Sequence, residues 1–110
     1  MPELAKLATY APVATVVGGF ALAGAAMAHT PLCACYDMGE GLVLCEGGFS
    51  DGSSAAGVGV RVVAEGGEVV AEGQMNQNSE FEFTMPEGAY TVVFDAGEGH
   101  QIEIPHDDIF

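Results

Sequence analysis

Basic residues are almost absent. The 110-residue sequence contains only Lys6 and Arg61 against 16 Asp and Glu, for a net charge of −14. Nucleic acids and anionic lipid headgroups are held chiefly by Lys and Arg, so that scarcity excludes both as partners and leaves a surface that attracts cations. Tryptophan is missing altogether, no set of residues suggests a substrate cleft, and no nucleophile is paired with a base, so the chain is not expected to be an enzyme. Helical periodicity is missing over any useful length, which points to an all-β fold. A lipid anchor at Cys33 is excluded as well, because Thr30-Pro31-Leu32 lacks the small residue needed directly before the cysteine. The acid excess has a plain explanation in a salt-adapted, self-repelling surface, with attraction for metal ions as a by-product.

What is present begins with export. Residues 11–28 are small and apolar, interrupted by Pro12, Thr15 and glycines, and end on Ala26-Met27-Ala28, the small-x-small pattern after which signal peptidase cuts. Residues 1–28 are therefore read as a signal peptide, or as a retained N-terminal anchor, since the apolar run is just long enough to span a bilayer. The exported, periplasmic or otherwise extracytoplasmic part is residues 29–110. Glu3 and Lys6 precede the cut, so that part keeps fifteen acids against Arg61. It forms one small domain, near the lower limit for a self-sufficient core.

Strand signals fill this part. Short apolar runs at 32–36 and 42–46 flank a glycine- and acid-rich hairpin loop at 37–41. A Ser/Gly/Asp/Ala loop at 49–59 follows. Strands at 58–64 and 68–74 are expected to pair across Glu65-Gly66-Gly67. Residues 80–85 alternate, placing Phe81, Phe83 and Met85 inward and the acids outward. Strands at 90–95 and 100–104 complete about seven, which predicts a small antiparallel β-sandwich.

Cleavage after Ala28 makes His29 the first residue. A terminal histidine is a bidentate chelator, because its α-amine and ring Nδ1 close one ring around a cation. His100 follows Gly97-Glu98-Gly99, which lets the backbone turn sharply and present the imidazole at a sandwich end. Together the two residues offer three nitrogens, a set that suits Ni²⁺ and Cu²⁺. His106 lies in a polar tail, Pro105-His106-Asp107-Asp108, where disorder is expected. Asp95, Glu98 and Asp37 are candidates to orient a ring from the outer shell. Cys33, Cys35 and Cys45 leave three readings open: a disulfide from Cys45 to Cys33 or Cys35, a buried thiol cluster, or a soft-metal site for Cu(I) or Zn²⁺. Cys33 and Cys35 share one strand face, so a bond between those two is excluded.

Residues 57–75, followed by Phe81–Phe83 and Pro86-Glu87-Gly88-x-Tyr90-x-Val92, resemble the transthyretin-like, carboxypeptidase-regulatory-type β-sandwich. His29 directly after the signal, Phe49-Ser50-Asp51-Gly52, and Asp95-Ala96-Gly97-Glu98-Gly99-His100 together resemble the small extracytoplasmic accessory subunit of energy-coupling-factor nickel and cobalt uptake transporters. The chain departs from that pattern at Gln101, where the family often has a basic residue, and at Asn76–Ser79, which lacks the usual Asp-Gly. The resemblance implies a divalent transition metal, nickel or cobalt before copper, held by His29 and His100, and a membrane subunit of the transporter as partner. It also implies that the cysteine positions serve core packing, with one disulfide in an oxidising compartment. The alternatives are a structural or interaction module at the cell surface and a periplasmic copper-binding protein.

Overall fold

Alternation of apolar and polar residues is what the backbone follows. In the computed structural model, which describes residues 29–110, seven strands form two antiparallel sheets. The cleavage position and the apolar run at 11–28 lie outside the described residues. One sheet holds β1 (Pro31–Gly39), β2 (Leu42–Phe49) and β5 (Glu80–Thr84) in the order β1-β2-β5. The other holds β3 (Gly59–Ala64), β4 (Val69–Gln74), β6 (Tyr90–Asp95) and β7 (Gln101–Pro105) in the order β4-β3-β6-β7. Among the described residues no helix is long and apolar enough to cross a membrane.

Inward residues of the two sheets meet as one core. Cys35, Val43, Cys45 and Phe83 come from the first sheet, and Val62, Val92, Phe94 and Ile104 from the second. Side chains two apart on a strand share a face, so this set is the period-2 pattern made visible. Of the trio expected inward on β5 and just after it, Phe83 is buried while Phe81 and Met85 are half-buried against the core. At Gly47 the two sheets meet closely: a Cβ there would stand 2.7 Å from Cε2 of Phe94. Only glycine lets that ring reach the first sheet. The phenyl rings of Phe49 and Phe94 lie 6.3 Å apart, so the ends of β2 and β6 close the same end of the sandwich.

The structure departs from the sequence expectation in two places, the first hairpin and the tail, and it decides which cysteines pair. The first hairpin is longer than expected: β1 continues to Gly39, past a register shift between Asp37 and Gly39, and the turn contracts to residues around Glu40. Glu40 takes a positive φ of 57°, flanked by Gly39 and Gly41, the conformation that tight hairpin turns demand. That register sets Cys35 directly opposite Cys45, and the two are joined as a disulfide, leaving Cys33 as a half-buried free thiol. The polar tail is ordered rather than loose. His106–Asp108 form one 3-10 turn, Ile109 packs against the core, and Phe110 pairs with β1 through its backbone, donating to Cys35 O at 3.1 Å and accepting from Asp37 N at 2.8 Å.

Candidate functional site

Where the chain enters β1, the loop after β2 holds His29 in place. Thr30 and Ser50 are tied by two hydrogen bonds, the Thr30 amide to Ser50 Oγ at 3.0 Å and the Ser50 amide to Thr30 O at 2.8 Å. This clamp extends the β1–β2 ladder by one pair and sets His29 beside Asp51. The His29 ring lies with Nδ1 2.8 Å from Asp51 Oδ2. The other carboxylate oxygen of Asp51 accepts from the Ser53 amide at 2.9 Å and from the Ser53 hydroxyl at 2.6 Å. These two Ser53 contacts, hydroxyl first, with a smaller share from His29, hold the Asp51 carboxyl below its ordinary range. Asp51 is thus an ionised, oriented acceptor aimed at a histidine nitrogen.

His100 stands at the same end of the sandwich, on the turn between β6 and β7. The Ala96 amide donates to His100 O at 3.1 Å and the His100 amide donates to Gly97 O at 2.9 Å, which closes the hairpin. Gly97 and Gly99 supply the positive φ values, 112° and 76°, that so tight a turn requires. His100 Nδ1 lies 3.1 Å from the Glu98 carbonyl. A carbonyl only accepts, so Nδ1 carries the proton and the exposed Nε2 of the neutral ring keeps its lone pair outward. That is the arrangement by which an outer-shell oxygen prepares a histidine for a cation. Glu98 acts here through its backbone rather than its carboxylate.

The remaining sequence candidates lie elsewhere or are engaged. Asp95 accepts from the Gly97 amide at 3.0 Å and pairs with Arg61 at 3.1 Å, and these contacts with Gln101 lower its carboxyl. Asp37 bonds the Gly39 amide at 2.9 Å, at the far end of β1. His106 is also at that far end, its ring centroid 5.6 Å from Tyr90 and its Nε2 3.2 Å from Asp107. Cys35 and Cys45 are spent in the disulfide. Cys33 packs against the core, and burial pushes its thiol up to about 11.

Among the described residues no three His, Cys, Asp or Glu side chains are gathered as a set able to hold a metal ion, and no hydrogen bond or ion pair joins His29 to His100. The residue that sequence reasoning left out of the site is Asp51. Its signal was the Asp51-Gly52-Ser53 string, which reads as a side-chain-capped turn. Nothing in it says which terminus the turn will face. No protein-family model, no curated protein and no solved structure matches the chain.

Proposed function

We propose that residues 29–110 form an exported domain that binds a divalent transition metal at the sandwich end where β1 begins. The observation that carries this reading is the 2.8 Å approach of His29 Nδ1 to Asp51 Oδ2. Two donors each about 2.0–2.1 Å from a cation, at right angles, stand about 3 Å apart, so the pair already has the spacing of neighbouring ligands. The third donor is the α-amine of His29, freed by cleavage after Ala28. The cation displaces the proton that Nδ1 donates to Asp51, amine and Nδ1 then chelate in one ring, and Asp51 supplies charge. The outward Nε2 of His100 at the same end is the fourth candidate donor. This set of nitrogens with one carboxylate suits nickel or copper, and affinity order alone favours copper. The resemblance of the 49–52 and 95–100 strings to the accessory subunits of nickel and cobalt importers favours nickel or cobalt as the cargo. It also favours the transporter's membrane subunit as partner.

The test begins with the exported protein, its first residue fixed by mass spectrometry. Titration calorimetry with Ni²⁺ then compares it with a form carrying one residue before His29, which keeps every side chain but turns the amine into an amide. A loss of at least about tenfold is expected, or about 1.4 kcal/mol. Asp51→Asn should cost a similar factor. Because the Asp51 carboxyl is held low, protons compete at the nitrogens instead, so affinity should fall as pH drops. Equal affinity with and without the added residue sinks the chelate.

A further inference from the structure

The outer face of the first sheet is divided between apolar and acidic columns. Along β1 the outward side chains are Leu32, Ala34 and Tyr36, with Leu32 52 % exposed, and Met38, 57 % exposed, follows at the register shift. Leu42 on β2 is exposed beside them, and Phe110, 77 % exposed, stacks on Tyr36 at 5.6 Å. The apolar column therefore runs past the edge of the sheet onto the C-terminal residue. On the other side of the same face stand carboxylates. Glu46 faces Glu80 directly across β2–β5, and Leu44 faces Glu82, so Glu46, Glu80 and Glu82 form one acidic patch on neighbouring positions. Their rows continue into the apolar column, since Ala34 is opposite Glu46 and Tyr36 opposite Leu44.

That patch is unfavourable for the chain by itself. Like charges directly opposite in an antiparallel pair repel, and here no cation of the domain offsets them. Arg61 is the one Lys or Arg in residues 29–110, and it is paired with Asp95 on the other sheet. Among the described residues no ion pair reaches Glu46, Glu80 or Glu82. Exposed apolar residues in a contiguous column beside an uncompensated acidic patch are the complement of one kind of surface. A second copy of this chain cannot supply it, because a net charge of −14 opposes self-association and residues 29–110 bring only Arg61, already paired with Asp95.

We infer that the outer face of the β1-β2-β5 sheet docks a partner polypeptide segment that is amphipathic and basic. Its apolar side lies along Leu32, Tyr36 and Met38, and its Lys or Arg residues lie on Glu46, Glu80 and Glu82. This inference is independent of the metal reading, since none of these residues is among the proposed ligands.

The experiment uses the full chain and a synthetic Leu/Lys amphipathic peptide, followed by fluorescence anisotropy and by NMR shifts of the outward residues. Saturable binding is expected, with shifts at Tyr36 and Leu44, weakening as salt shortens the Debye length from about 8 Å to about 3 Å. A Leu/Glu peptide should not bind, and a Ser/Lys peptide should bind at least about tenfold more weakly. The triple variant E46Q/E80Q/E82Q should lose at least about tenfold, whereas E65Q/E68Q/E72Q, which removes the same charge around the other sheet, should lose little. Equal losses from the two triple variants would reduce the effect to net charge and overturn the inference. Binding to neutral phosphatidylcholine vesicles that needs Leu32 and Met38 but not the glutamates would overturn it in favour of a membrane. A dimer that buries Tyr36 would overturn it in favour of a second copy.

Discussion

The two ends of the sandwich use histidine in opposite ways. At the end where β1 begins, His29 and His100 stand free of the core, each with a ring nitrogen met by an oxygen of a polar turn. At the opposite end His106 lies over Tyr90, which itself meets Phe83 edge-on at 5.8 Å. The first pair of rings rests on loops and the third on an aromatic stack that belongs to the core. What a histidine can do is set by what lies beneath its ring. A ring on a polar turn keeps a lone pair for a cation, and a ring on a phenol contributes packing.

The largest effect that breaks this contrast comes from the ring that joins the two sheets at the His29 end. Phe94 is fully buried and reaches into the space that Gly47 leaves. Phe94→Ala should cost about 3–5 kcal/mol, since it removes apolar burial and leaves a cavity. In urea melts it should be more damaging than any of the substitutions that follow, and a loss below about 1 kcal/mol would mean that the two sheets close without it. Next is the Cys35–Cys45 bond, which spans ten positions of sequence. Replacing both cysteines by Ala should cost about 2–4 kcal/mol while leaving Cys33 slow to alkylate. A thiol raised to about 11 is almost wholly protonated at pH 8. Burial favours the neutral thiol, so its share of stability is complete below the ordinary thiol range and is lost as pH rises toward 11. Rapid alkylation of folded protein at pH 8 would show Cys33 to be open. The smallest effect sharpens the contrast most. His106→Ala should cost about 0.5–1.5 kcal/mol of stability through lost stacking and leave Ni²⁺ affinity unchanged. His100→Ala should do the reverse, with little change in the melt and a loss of affinity. If both variants alter the same observable, the two ends are not distinct.

Much of the fold was legible because it depends on neighbours in sequence. Glu80 to Thr84 alternates, and the Glu65-Gly66-Gly67 turn joins strands of matching length, so β3, β4 and β5 fall within a residue or two of expectation. The first hairpin was harder. Read with a loop at 37–41, it leaves Cys33 and Cys35 both open as partners of Cys45. The observed turn takes Glu40 and Gly41, and the partner is Cys35. Which glycines take the turn is decided by the sheet's registry with Phe83 and the core, not by the turn's own residues. Asp51 and the tail were missed for a related reason. Their roles rest on contacts with His29 and with β1, far away in sequence, and composition records only that both stretches are polar.

Phe110 has a bearing on the order in which the molecule assembles. Its two hydrogen bonds to Cys35 and Asp37 join the last residue to the first strand, a closure that encloses nearly all of the described chain. The hairpins β1–β2, β3–β4 and β6–β7 close short loops and can form early, whereas this latch needs both sheets already stacked to bring its partners together. It is the natural final step of folding and, by the same reasoning, the first place to open. The amide of Asp37, bonded to that terminus, should then exchange with solvent well before those of the core strands, as a local breathing motion rather than a global one.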